Sequence, residues 1–350
     1  MTRFRALALF ALFPCALHAQ GTQGDYLAAD LTFSSGETLP ALRLHYTTLG
    51  TPQRDAAGVV RNAVMILHGT GGTGRAFLSA TYAGELFGPG RLLDTARYYI
   101  VLPDGIGHGG SSKPSDGLHA RFPRYTYDDM VRAQQVLLTK GLGVNHLRLI
   151  MGTSMGCMHA WVWGYTFPGF ADGLVPLACA PAPIVGRNRM MRKMILDDIR
   201  NDPAYRGGEY TEQPKGVMAA SQLLFMMTSA PLVQQRQAPT REAADSLIVA
   251  YLAARARVTD ANDMLYQFDA SRDYDPSPHL AQVTVPVLAL NSADDLVNPS
   301  ELGVMERLMP RVAQGRFILL PISAQTRGHG THSVPSVWGG YLAEFLRGLP

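Results

Sequence analysis

Gly152-Thr153-Ser154-Met155-Gly156, in the middle of the chain, has the make-up of a nucleophile held on a sharp turn. It follows the apolar run Leu147–Met151 and precedes a stretch of helical spacing, so the serine falls at a strand-to-helix junction. Glycine two residues before and two after it lets neighbouring backbone come close and leaves the hydroxyl exposed. A serine hydroxyl is a weak nucleophile at neutral pH. It needs a base, and the base needs a carboxylate to hold it.

Both partners occur downstream, acid first and histidine second. "VPVLALNSADDLVNP" is a buried strand ending in two aspartates. Asp295, four residues before Pro299, has the better spacing for the acid, with Asp294 as the alternative. "GHGTHS" follows the strand-like "GRFILLP" and precedes the last helical stretch. His329, directly after Gly328, is the expected base, with His332 as the alternative. The anion formed in acyl transfer needs donors already in place. "MILHGTGGTG" follows an early strand, and its glycines allow close approach to a bound oxygen. The expected donors are the backbone N–H groups of Thr70 and Met155, with His68 bracing the loop and His108 making local hydrogen bonds. The glycine cluster lacks the Gly-Lys-Ser/Thr ending of a phosphate-cradling loop. HExxH and paired CxxC are missing as well, so neither a metal nor another cofactor is expected.

These residues need a scaffold, and the remaining pattern supplies one. "LTFSSGETLPALRLHYTTLG" alternates polar and apolar residues about Ser35-Gly36 and predicts a β-hairpin. Ala63–Leu67, Tyr98–Leu102, Leu147–Met151, Leu174–Ala178, Val287–Leu290 and Phe317–Leu320 are short apolar runs without alternation, as strands buried on both faces require. A helix is predicted over Tyr127–Thr139, with Asp128 and Asp129 in its first turn. Strand and helix alternate, which predicts an α/β, mostly parallel, doubly wound sheet. About residues 182–282 break the rhythm. They hold helical patterns at Arg187–Arg200, Gly216–Thr228 and Arg241–Ala254 and read as an inserted helical lid. Met190, Met191, Met194, Met218, Met226, Met227 and Met264, with Phe225 and Phe268, either shape an adaptable apolar pocket or pack helices. Arg187, Arg189, Arg192 and Lys193 read as a solvated helix face, the alternative being contact with an acidic substrate group.

Of 350 residues, 47% are hydrophobic and 17% charged, an ordinary globular composition. A net charge of +3 gives no basis for a nucleic-acid partner. Met1–Arg5 is basic, Leu7–Leu12 apolar, and "CALHA" ends in small residues, so residues 1–19 read as a signal peptide. Residues 20–350 are then the mature catalytic domain, periplasmic or secreted, without a membrane span. Cys157 and Cys179 lie in apolar surroundings and are expected as buried free thiols, with a disulfide as the alternative. Nothing in the sequence specifies an oligomeric state.

With these motifs in place, the chain resembles the homoserine O-acetyltransferase family of α/β-hydrolases over about residues 27–346. The likeness rests on "LRLHYTTLGTP", "NAVMILHGTGG", "YTYDDMVRAQQVLLTKGLGVNHLRLIMGTSMGCMHAWVWGYTFP", "IRNDPAYRGGEY", "PKGVMAA" and "ANDMLYQFDASRDYD". It implies the α/β-hydrolase fold, with Ser154 as nucleophile, Asp295 as acid and His329 as base. Three departures bear on substrate. Thr153 and Cys157 replace glycines of the family's nucleophile turn. Ser221 stands where the family tends to carry an arginine, and Gly330 where it usually has an aspartate. The resulting expectation is a serine hydrolase that cleaves a small-molecule ester or related acyl substrate through an acyl-enzyme. An exported enzyme would be separated from cytoplasmic acyl-CoA, which favours water as the acceptor. The alternatives are an acyl-CoA-dependent O-acyltransferase and a non-catalytic binding protein on the same fold.

Overall fold

Each of the apolar runs forms a strand, and all but the edge strand holding Phe317–Leu320 are covered on both faces, in a computed structural model that describes residues 21–350. The strands are β1 (Thr22–Thr32), β2 (Thr38–Leu49), β3 (Ala63–Leu67), β4 (Tyr99–Pro103), β5 (Leu149–Thr153), β6 (Leu174–Leu177), β7 (Val287–Ser292) and β8 (Gly315–Leu320). They make one sheet in the order β1-β2-β4-β3-β5-β6-β7-β8. β1 and β2 are the expected hairpin, and β2 joins β4 antiparallel. From β4 to β8 every pairing is parallel.

Helices α1 (Ala80–Leu86), α2 (Tyr127–Val136) and α3 (Met155–Thr166) alternate with the early strands. Five helices, α4 (Gly186–Arg200), α5 (Gly216–Thr228), α6 (Pro231–Gln237), α7 (Arg241–Ala256) and α8 (Ala261–Asp269), fill the interval between β6 and β7. α9 (Val304–Leu308) and α10 (Pro335–Gly348) lie before and after β8. Side chains point to alternate faces of a strand, and here each face has its own core. Val64, Ile66, Leu149 and Met151 pack with Tyr82 of α1 and Trp338 of α10. Met65, Leu67 and Ile150 pack with Met130 of α2 and Trp161 of α3. The strands therefore need apolar residues at successive positions.

α2 starts where its acidic first turn predicts. The Thr126 hydroxyl accepts from the Asp129 N–H, and the Asp129 carboxylate accepts from the Thr126 N–H. It ends earlier than expected, passing at Leu137–Gly141 into a wider π turn. In the insertion, α6 and α8 are helices additional to the three patterns expected there. α6 is a short helix opening on Pro231. α8 carries a helical stripe of Ala261, Met264, Leu265 and Phe268, and buries the polar Asn262 and Asp263 as well. Among the described residues no single helix is long and apolar enough to cross a membrane. The stretch read as a signal peptide lies outside the described residues.

Cys157 and Cys179 form a disulfide, correcting the expectation of free thiols. Cys157 sits in the first turn of α3 and Cys179 just past β6. Because β5 and β6 are parallel neighbours, the two Cα atoms come within 5.9 Å, inside the range a disulfide spans. Burial and pairing thus coexist, both cysteines being inaccessible. The bridge closes a loop with a sequence separation of 22. The double variant Cys157→Ala/Cys179→Ala is expected to lose about 3 kcal/mol of unfolding free energy in a denaturant titration. A midpoint equal to that of the parent protein would show that the bridge adds nothing to stability.

Candidate active site

Ser154 is the residue between β5 and α3, with φ 53° and ψ −110°. This positive φ is unfavourable for a side-chain-bearing residue, and the surroundings hold it there. The Ser154 N–H donates to the Leu177 carbonyl (2.9 Å), and the Gly156 N–H donates to the His68 carbonyl (3.0 Å). A Cβ on Gly152 would sit 1.9 Å from the Gly156 carbonyl oxygen, and one on Gly156 would sit 2.1 Å from the Leu67 carbonyl oxygen. Both positions are closed to any other residue without moving backbone.

Asp295 follows β7, and His329 follows β8. Asp295 Oδ2 accepts from His329 Nδ1 at 2.8 Å, and Ser154 Oγ donates to His329 Nε2 at 2.8 Å. A carboxylate only accepts, so the imidazole proton lies on Nδ1 and Nε2 is free to take the serine proton. Asp295 also accepts from the Val297 N–H (2.8 Å) and from Asn298 Nδ2 (3.0 Å). Burial pushes the Asp295 carboxyl up. His329 beside it and the hydrogen bonds from His329, Asn298 and Val297 pull it down further, and it rests below the usual carboxylate range. It is therefore an anion at neutral pH. Asp294 turns instead to the Ser292 hydroxyl. His332 stands edge-on to His329, with ring centres 5.4 Å apart, and hydrogen-bonds the neighbouring Ser333. Of the alternatives open in the sequence, the geometry joins Asp295 and His329 to Ser154.

The Thr70 and Met155 N–H groups make no hydrogen bond among the described residues; Met155 directly follows Ser154, and a Cβ on Gly69, the neighbour of Thr70, would sit 3.2 Å from the Ser154 Cβ. Met155 is the first residue of α3, where an N–H has no partner within the helix. His68 fixes the Thr70 loop. Its Nδ1–H donates to the Gly69 carbonyl (2.8 Å), and its Nε2 accepts from the Gly105 N–H (2.9 Å). Burial lowers the His68 pKa, which keeps the ring neutral in this two-sided role. His108 donates from Nδ1 to the Ile106 carbonyl (2.9 Å), the local bonding expected of it. Burial, and then His68, hold its pKa well below the ordinary value.

A cavity of about 370 Å³ opens above the serine. Phe77 and Tyr82 line it from the core, and Met191, Leu224, Tyr251 and Phe268 from the inserted helices. Among the methionines and phenylalanines singled out in the sequence, Met191 and Phe268 face this cavity. Met227 and Met264 are buried in the core, and Met190, Met194 and Met226 are exposed. The expectation of a solvated basic face on α4 fails at Arg192, which is 3% exposed and lines the cavity. Lys193 does face solvent and pairs with Asp197. The signal for Arg192 was present: it lies on one stripe with Ile195, Leu196 and Ile199, all buried. Asn298 and Arg255 were not anticipated either. Ser221 is buried with its hydroxyl bonded to the Val217 carbonyl (2.7 Å), away from the cavity.

The arrangement is that of a proton-accepting imidazole on a serine hydroxyl, with two unbonded amides beside it. The chain is similar to the homoserine O-acetyltransferase of Geotalea daltonii, 33% identical over 210 residues, 54% of each chain. It is also similar to a probable acyltransferase of Methanothermobacter thermautotrophicus, 26% identical over 285 residues, 81% of this chain and 86% of that one. It spans about half the length of the homoserine O-acetyltransferases it matches. Among solved structures, homoserine O-acetyltransferase from Bacillus anthracis superposes with a TM-score of 0.80 at 22% identity, covering 94% of this chain and 98% of that one. The acetyl esterase MekB superposes equally well, with a TM-score of 0.80 at 22% identity over 93% and 97%. Those likenesses concern the fold. The sequence model of the Alpha/beta hydrolase family matches residues 64–340, a span that holds Ser154, Asp295, His329 and the Thr70 loop. With that match and the parallel sheet that carries it, the chain belongs to the alpha/beta hydrolase family.

Proposed function

We propose that this protein is a serine-nucleophile enzyme that hydrolyses an ester through an acyl-enzyme on Ser154. The observation that carries this reading is the continuous chain of hydrogen bonds from Ser154 Oγ through His329 to Asp295 at the floor of a cavity. In the reaction, His329 Nε2 takes the hydroxyl proton as Ser154 Oγ attacks the ester carbonyl carbon. Asp295 stabilises the imidazolium that results. The oxygen that becomes an anion is received by the Thr70 and Met155 N–H groups. The imidazolium then protonates the departing alkoxide, and the acyl group stays on Ser154. Water enters, gives a proton to His329 and attacks the acyl carbon; the bond from that carbon to Ser154 Oγ then breaks, Oγ takes the proton back from His329, and the acid leaves. The inserted helices act as a lid that holds the substrate and limits water.

A second reading is acyl transfer, in which an alcohol replaces water in the last step. The similarity to homoserine O-acetyltransferases and to a probable acyltransferase supports it. Hydrolysis is favoured on the reading of residues 1–19 as a signal peptide, which would place the protein in the periplasm or outside the cell, away from acyl-CoA. Purified mature protein assayed on p-nitrophenyl esters, with and without acetyl-CoA and homoserine, separates the two. Serine-dependent ester cleavage without acetylated homoserine supports hydrolysis. Efficient transfer to homoserine replaces it with the second reading.

Ser154→Ala is expected to lower kcat by at least about 10⁴-fold with the thermal transition retained. A variant that still turns over would place the nucleophile elsewhere. Asp295→Asn is expected to lose about 10³- to 10⁴-fold, because it presents the wrong imidazole tautomer to the serine. Asp294→Asn is expected to change kcat/KM only a few-fold. The reverse ranking would mean that the carboxylate is Asp294.

A further inference from the structure

The cavity above Ser154 contains two guanidinium groups and no carboxylate. Arg192 of α4 and Arg255 of α7 both line it, and none of its other lining residues is an aspartate or glutamate. Arg192 is buried, yet its partners are neutral. Its Nε donates to Asn188 Oδ1 (3.0 Å), one terminal nitrogen, Nη1, donates to Ser271 Oγ (2.9 Å), and the guanidinium stacks on Phe268 at 5.6 Å. The other terminal nitrogen has no protein acceptor among the described residues. The Arg255 guanidinium makes no hydrogen bond among these residues, and its Nε is buried without a partner. Its Nη2 lies 3.9 Å from where a Cβ on Gly71 would stand, so the guanidinium sits beside the loop that carries Thr70.

A guanidinium keeps its charge at every pH relevant to folding. Burying a charge without a counter-ion is costly, and structures rarely leave one so. The acids nearest in the adjoining cavity are already engaged. Asp260 accepts from Tyr210 and Gln213 (2.7 Å each), and Asp263 from the Ser115 hydroxyl (2.6 Å). The counter-ion is thus missing from the protein, at the place where substrate binds. Two planar donors facing a cavity that no acidic side chain lines suit a carboxylate, which a guanidinium can hold in a two-pronged contact. The same cavity offers no carboxylate to an ammonium group, because no acidic side chain lines it.

We propose that the substrate is an ester carrying a free carboxylate and no neighbouring ammonium group, with Arg192 and Arg255 receiving that carboxylate. The proposal rests on the hydrolase reading above and names its substrate class. Arg255 contributes to binding and orientation, while Ser154 and His329 carry the bond-making.

γ-Acetoxybutyrate, its methyl ester and O-acetylhomoserine make a matched set. They share the acetyl ester and chain length and differ only in the carboxylate or in an added ammonium. Wild-type protein is expected to release acetate from γ-acetoxybutyrate with kcat/KM at least about tenfold above both comparators, in KM more than in kcat. In Arg255→Met the ratio of anion to methyl ester is expected to fall towards one, and Arg255→Lys should restore part of it. Circular dichroism checks that each variant is folded. If the carboxylate belongs on the acyl side, the mono-p-nitrophenyl ester of glutaric acid replaces γ-acetoxybutyrate as the preferred substrate over p-nitrophenyl valerate, with the same loss in Arg255→Met. Cleavage of neutral and anionic esters at equal efficiency overturns the proposal but leaves the hydrolase reading standing, as does a preference that survives Arg255→Met. A preference for O-acetylhomoserine overturns it too. Absence of Ser154-dependent cleavage of any ester overturns the hydrolase reading, and the substrate class falls with it.

Discussion

The site depends on one strained residue. Ser154 is held at positive φ at the end of β5, a conformation that costs roughly 1–3 kcal/mol and persists only where its surroundings enforce it. The enforcement comes from contacts too close for side chains. Backbone of the β3 loop presses on Gly156, and the Gly156 carbonyl presses on Gly152. Two hydrogen bonds, to the Leu177 and His68 carbonyls, fix the turn against β6 and against the Thr70 loop. Serine hydroxyl, Met155 amide and Thr70 amide are thereby set by one piece of packing, and a shift in any one would move the others.

The parallel sheet explains why residues so distant in sequence meet. β3, β5, β7 and β8 run in the same direction, so the segments following them emerge along one edge. Thr70, Ser154, Asp295 and His329 each belong to such a segment. The helices inserted after β6 rise from the same edge and close the space above them, bringing Met191, Arg192, Leu224 and Arg255 over the serine. In the proposed reaction the strand ends supply the chemistry and the insertion supplies the contacts to substrate.

That division also decides what could be read from the sequence. The strands were legible because burial on both faces leaves continuous apolar runs, and Ala63–Leu67 matches its strand at both ends. Ser154, Asp295 and His329 were legible because each follows such a run at a turn. The Cys157–Cys179 pairing was not, since it follows from two strands becoming neighbours. Arg192 was misread because four basic residues in seven suggested solvent, although its spacing to Ile195 and Ile199 placed it on the buried stripe. α8 had a signal that went unused, the helical spacing of Ala261, Met264, Leu265 and Phe268. Asn298, which steadies Asp295, and Arg255, which has no local partner, carry no sequence signal of their own.

The central claim is that Ser154 is the activated nucleophile. Intact-mass and peptide mass spectrometry after treatment with an alkyl fluorophosphonate tests it without any assumption about substrate. The account predicts a single phosphonyl adduct, located on Ser154. A protein that stays unlabelled, or one labelled on a different side chain, would contradict it.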